Sequence, residues 1–149
     1  MEEFEIVTTI DRPIDEVWDF LEDFKRMPEW NAGLVEARPT SEGPIGVGST
    51  IVFRGKFLGR SVELTQEYTE YAPKRRFVAR TKAGPLHIEL ESTVESIPGG
   101  TKLTSLYRGE SHGFFKLTEP VIVRVAKKQF ESAAENMKAL LEASVPDPV

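Results

Sequence analysis

The chain has 149 residues, no cysteine and a formal charge of -5, from 19 Lys and Arg against 24 Asp and Glu. The missing thiols exclude disulfides and Cys-ligated zinc or iron–sulfur centres, and the acidic balance argues against a nucleic-acid partner, whose phosphates need a cationic surface. Length and a hydrophobic share of 40% fit one globular domain with its own core, read here as residues 1–143 followed by a frayed tail over 144–149.

The N-terminus, MEEFEIVTTI, is acidic and strand-like, so no signal peptide is read. No window approaches the roughly 18 apolar residues of a membrane span. A cytoplasmic protein without stable membrane insertion is expected. Residues 4–10 alternate, with Phe4, Ile6 and Thr8 against Glu5, Val7 and Thr9, as a strand does. Asp11-Arg12-Pro13 ends it, and proline suits a first helical turn. Ile14, Val17, Trp18, Leu21 and Phe24 then fall on one helix face. Pro28-Glu29-Trp30-Asn31 opens a second short helical turn that Gly33 ends, and Trp30 there needs cover. Residues 34–38 form a short strand. The stretch 39–48 holds Gly46-x-Gly48 but no third glycine and no following helix, so it is a turn rather than a phosphate loop.

Five further strands are predicted over 50–56, 60–68, 75–82, 86–94 and 101–110, separated by turns. Gly55 and Gly59 bracket the first hairpin. One parity carries Phe53, Leu64, Phe77, Leu90 and Tyr107; the other is mostly charged. Such alternation means an antiparallel meander with one dry face. Lys74, Arg75, Arg76, Arg80 and Lys82 cluster, and they read as a solvated strand face. Residues 119–142 read as one helix of more than six turns. Its apolar side holds Val123, Ala126, Phe130, Ala133, Ala134, Met137, Leu140 and Leu141.

One helix cannot fill the concavity of a long curved sheet, so side chains or a ligand must occupy the remainder. The predicted pocket residues are Trp30, Phe53, Leu64, Phe77, Leu90, Ser92, Ser105, Tyr107, Phe114, Val123, Ala126 and Phe130. The segment from Val123 to Phe130 is expected to face the cavity, and Met137, Leu140 and Leu141 to anchor the core. Gln66, Tyr68, Thr81, Ser92, Ser105 and Tyr107 are polar groups of dry parity and need partners if buried. His112 stands in a loop with two aromatics, Phe114 and Phe115, which with Trp30 form a candidate gate. His87 has the parity of the wet face. The acid–base candidates are Tyr107, Arg108 and His112, the last because imidazole titrates near neutrality. No Gly-x-Ser-x-Gly elbow and no His-Glu-x-x-His spacing occurs, and neither a metal nor a cofactor is expected.

The order of strand, two helices, about six strands and a long helix accompanies the run Pro13-Ile14-Asp15-Glu16-Val17-Trp18, the later Trp30-Asn31, and Thr101-Lys102-Leu103-Thr104 after a Gly-Gly turn. Together they resemble the START-like helix-grip superfamily (SRPBCC), in its polyketide cyclase/dehydrase and lipid-transport branch. The resemblance implies an α+β helix-grip fold: a strongly curved antiparallel sheet (β-α-α-β6-α) wrapped around the C-terminal helix, with an apolar cavity between them. It also implies a small hydrophobic partner such as a lipid, polyketide, isoprenoid or quinone. The alternatives are a cyclase or dehydratase using the same cavity, and an interaction surface built on Phe114 and Phe115. A monomer or a homodimer is consistent with the sequence.

Overall fold

The computed structural model describes residues 2–116 and 118–143; the expected tail at 144–149 lies outside them. The seven strands are β1 (Glu2–Ile10), β2 (Leu34–Pro39), β3 (Thr50–Phe57), β4 (Arg60–Ala72), β5 (Arg76–Ala83), β6 (Ile88–Ile97) and β7 (Gly100–Gly109). The helices are α1 (Ile14–Leu21), α2 (Met27–Trp30) and α3 (Pro120–Ala143). The strands form one antiparallel sheet in the order β1-β7-β6-β5-β4-β3-β2. The sheet curls around α3 as a half-barrel. Register shifts at Leu34/Glu36, Thr65/Gln66 and Tyr68/Glu70 mark irregular pairing, and such bulges bend and twist a strand.

Several boundaries differ from expectation. β4 runs on to Ala72, four residues past the expected end at 68. β6 begins at Ile88, and Leu86 instead bridges Phe115. Pro13 is the residue before α1 rather than within it, and no side chain caps that helix. Asp11 spends its backbone N–H on Glu142 Oε2 at 2.9 Å.

That contact belongs to a latch. Arg12 Nε donates to the Leu141 carbonyl at 2.9 Å, Lys138 Nζ donates to the Thr9 carbonyl, and Thr101 Oγ1 donates to the Arg12 carbonyl at 2.8 Å. The carbonyls at the end of a helix have no intrahelical partner, and here an arginine on the β1–α1 connection takes one. The last turns of α3 are thereby tied to β1 and β7.

The core lies in two parts. One gathers Trp18, Phe24, Tyr68, Phe77, Leu103, Met137 and Leu141 beneath α1 and the C-terminal turns of α3. The other gathers Phe57, Val62, Leu86, Ile88, Phe115 and Ala126 near the start of α3. Burying one such large side chain stabilises the fold by about 1.5–3 kcal/mol. Between the two parts α3 presents Ala133 and Ala134, which are too small to bridge them.

Candidate functional site

The gap between the two core parts is a cavity of ≈ 220 Å³. Its walls are the concave face of β3 to β7, the middle of α3, and the α1–α2 segment. Strand alternation sets the inward residues: Phe53 on β3, Leu64, Gln66 and Tyr68 on β4, Phe77 on β5, Leu90 and Ser92 on β6, and Leu103, Ser105 and Tyr107 on β7. Helix α3 contributes Gln129, Phe130, Ala133, Ala134 and Met137. Leu21, Phe24, Met27, Trp30 and Asn31 close the side under the short helices.

Nine of the twelve pocket residues expected from the sequence line this space: Trp30, Phe53, Leu64, Phe77, Leu90, Ser92, Ser105, Tyr107 and Phe130. Three do not. Ala126 is buried one turn before Phe130, packed with Phe57, Leu86 and Phe115. Val123 lies further toward the N-terminal end of α3 and does not reach the lining. Phe114 is 62% exposed, with Arg60 over its ring at 4.7 Å, while Phe115 turns inward against Phe57. The two rings still touch edge to face, with centroids 5.0 Å apart, so Phe114 lies exposed against a buried Phe115 and neither lines the cavity. The cavity-facing part of α3 is therefore its middle, from Gln129 to Met137; of the expected stretch 123–130 only Gln129 and Phe130 reach the lining. Met137 both anchors the first core part and lines the cavity.

The signal for several unpredicted lining residues was present in the pattern. Gln66 and Tyr68 share the parity of Leu64; Ala133 and Ala134 lie on the apolar side of α3. Lining by Gly33, Leu34, Gly55 and Lys56 comes from the pairing of β2 with β3, which has no sequence signature.

The acidic and basic candidates separate in the same way. Tyr107 stacks on Phe130 with centroids 4.4 Å apart and planes 3° from parallel, and on Phe4 at 5.1 Å. Burial pushes its phenol well above the ordinary tyrosine range, opposed by a hydrogen bond with Ser105. It is thus a neutral hydroxyl at physiological pH. Tyr68 stacks on Phe77 at 5.1 Å, and burial raises its phenol too, with Glu22 adding to the effect. Tyr71 donates to Glu22 Oε2 at 2.7 Å; burial and then that carboxylate push it up to about 12. Arg108 is not in the cavity. It lies on the outer face against Glu89 at 2.8 Å and Glu91 at 3.0 Å, because Tyr107 takes the inward direction. His112 is also outside, 64% exposed and 2.8 Å from Glu110.

The remaining polar groups divide into satisfied and unsatisfied. The Thr81 hydroxyl donates to the Leu86 carbonyl at 2.9 Å and accepts from the Ile88 N–H at 3.2 Å, closing the β5–β6 corner; it is structural. The indole nitrogen of Trp30 and Oδ1 of Asn31 are buried without a partner, and both residues border the cavity. Such groups are rare because each costs about 1–3 kcal/mol. Of the basic cluster, Lys74 pairs with Asp15, Arg76 with Glu70 and Glu91, Arg80 with Glu110, and Lys82 with Glu67. Among the described residues, no helix is long and apolar enough to cross a membrane.

A curled antiparallel sheet gripping a C-terminal helix, with an apolar space between them, is now established in the chain itself. Its sequence matches the family described as Polyketide cyclase / dehydrase and lipid transport over residues 1–142. The chain belongs to this family. No curated protein matches its sequence. Solved structures share the fold at low identity. A Thermus thermophilus protein aligns with a TM-score of 0.80 at 15% identity, over 96% of this chain and 100% of its own. A START superfamily protein from Mycobacterium smegmatis gives 0.80 at 15%, over 94% and 97%. The Zhui aromatase/cyclase of a Streptomyces species gives 0.76 at 15%, over 98% and 96%. Family membership accounts for the fold and the pocket; these likenesses carry no single chemistry.

Proposed function

We propose that residues 1–143 form one domain that binds a small hydrophobic or amphipathic molecule in the cavity between the sheet and α3. The observation that carries this is a ≈ 220 Å³ space walled by leucine and aromatic side chains, with Gln66, Ser92, Ser105 and Tyr107 as scattered polar groups. Ligand sites have this composition: apolar walls for affinity and a few polar atoms for orientation. A cavity of about 150 Å³ holds benzene, so this one suits roughly a two-ring compound or a short chain. Lipid, polyketide, isoprenoid and quinone fragments all fall in that class. The domain would act in the cytoplasm as a monomer or homodimer, with no nucleic-acid partner.

Thermal-shift and native mass spectrometry measurements with one- and two-ring phenols and ketones test the proposal. A bound adduct and a raised melting temperature are expected for the wild-type protein. Ala134→Leu, which adds bulk at the cavity wall, is expected to lose both while remaining folded. No adduct with any apolar probe, or undiminished binding in the variant, would sink it.

A cyclase or dehydratase is the second reading, favoured by Tyr107 and Ser105 lying together on the cavity wall. Its acceleration would come chiefly from holding a reactive chain in one fold, with Tyr107 as a neutral proton donor. In the same ligand assay, Tyr107→Phe would keep binding; loss of turnover on a poly-keto substrate would then mark the enzyme.

A further inference from the structure

The chain has two histidines, and the fold brings them together. His87 stands just before β6 and His112 just after β7, with ring centroids 4.3 Å apart. Glu110 joins them. The β6–β7 register pairs Ile88 with Gly109, so His87 and Glu110 are the next residues outward, and the Glu110 N–H donates to the His87 carbonyl at 3.0 Å. Glu110 Oε2 lies 2.8 Å from His112 Nε2. One donor atom from each of the three side chains lies within 4.8 Å of the others.

The loop is shaped to close on this cluster. Gly113 has φ +97, and a Cβ there would stand 2.7 Å from His87 Cδ2 and 2.8 Å from the Pro85 carbonyl. Only glycine adopts that backbone at that separation. The Phe115 N–H then donates to the Pro85 carbonyl at 2.9 Å, and Phe115 bridges Leu86. His87 is thus held from both sides, on the outer surface, while its neighbours Leu86 and Ile88 line the cavity.

We propose that His87, Glu110 and His112 form a site for a divalent transition-metal cation of the zinc class. Two imidazole nitrogens and one carboxylate oxygen are the donor set that suits zinc, nickel or copper, and not magnesium or calcium. Zinc bonds of about 2.0–2.2 Å require donors roughly 3.3 Å apart. The Glu110–His112 pair is already closer than that, and the third donor, on His87, lies within 4.8 Å of both, a gap that the exposed His112 and the Glu110 side chain can close by adjusting toward it. Three protein ligands leave a fourth position for water. Arg80 Nη2, 3.7 Å from Glu110 Oε1, is the facing positive charge. It engages the carboxylate oxygen that His112 leaves and is itself half-exposed, so it can turn outward. The bland alternative is a hydrogen-bonded His–Glu pair that only staples the loop.

With no cysteine and only these two histidines, measured affinity is readily assigned. Untagged protein stripped with chelator is titrated with Zn²⁺ by calorimetry, with Co²⁺ as an absorbing probe and Mg²⁺ as a control. A 1:1 complex with Zn²⁺ is expected, with no comparable response to Mg²⁺. His87→Ala, His112→Ala and Glu110→Gln should each weaken binding at least about tenfold, since even loss of a supporting partner costs that much. Zn²⁺ should raise the melting temperature of the wild type and leave that of His112→Ala unmoved. His112 is exposed, so that variant serves if His87→Ala fails to fold. Absent Zn²⁺ binding, equal binding of Mg²⁺, or unchanged affinity in His112→Ala would each overturn the site.

Discussion

At the residue scale, two glycines, one just before β2 and one within β3, show how space is allotted. Gly55 looks like a hairpin residue in the sequence, but the turn is made by Leu58 and Gly59, and Gly55 lies within β3. A Cβ there would stand 2.2 Å from the Gly33 carbonyl and 3.0 Å from Leu34 Cα, both backbone atoms that cannot swing aside. That close approach lets Lys56 N–H donate to the Gly33 carbonyl at 2.7 Å and seats β2 beside the cavity. At Gly33 the nearest obstacle is the flexible end of Gln129, at 2.5 Å. Gly55→Ala is therefore expected to cost about 1–3 kcal/mol, the usual range for forced overpacking, and Gly33→Ala clearly less. Urea unfolding of the two variants measures the difference, and equal losses would contradict this account. Arg108 gives the complementary lesson. Its outward direction follows from alternation once Tyr107 is placed inward, so the sequence already held the reason to remove it from the acid–base candidates.

At the element scale, α3 is the organiser that its amphipathic pattern predicts, but its duties are distributed differently. Its N-terminal turns pack into the second core part through Ala126, its middle faces the cavity through Gln129 to Met137, and its last turns are latched by Arg12 and Asp11. The sequence places all these residues on one face; it cannot say how far along the helix the sheet stands away. Ala126 is 1% exposed, so a larger side chain there meets atoms rather than space. Ala126→Leu is expected to lose about 1–3 kcal/mol and to keep ligand affinity, the reverse of what a cavity-facing position would show. Denaturant melts paired with ligand titration decide it; lost affinity with unchanged stability would return Ala126 to the cavity wall.

At the scale of the whole molecule, the outer face of the sheet carries an ion-pair chain across five strands. Glu3 on β1 meets Arg108 on β7, Arg108 meets Glu89 and Glu91 on β6, and Arg76 on β5 joins Glu91 to Glu70 on β4. Glu91 is the shared acceptor. Its hydrogen bond with Arg76 is the largest effect holding its carboxyl below the usual carboxylate range; burial opposes it, and the bond with Arg108 adds to the lowering. A folded-state pKa below the unfolded value stabilises the native state at pH above about 4.3, the ordinary Glu value. That contribution fades as pH falls through the folded-state pKa. Glu91→Gln is expected to lose on the order of 1 kcal/mol at neutral pH, after allowing for solvent screening of partly exposed partners. Its stability should then fall less steeply than wild type in acid. Parallel stability curves for the two proteins below pH 4 would remove Glu91 from that role.

The sequence by itself determined the order of elements, the inward set on each strand and the apolar side of α3. These follow from periods of 2 and 3.6 residues, which are local properties of the backbone. It also carried the Pro-x-x-x-Val-Trp run that contributes to the family resemblance. Tertiary structure alone decided which stretch of α3 borders space, that Phe115 is buried while Phe114 stays exposed against it, and that β2 approaches through Gly33 and Gly55. It alone brought His87 beside Glu110 and His112, whose separation in sequence matches no metal-ligand spacing. Each of these depends on the curl and register of the sheet, and register joins residues through hydrogen bonds between strands that no window along one strand can contain.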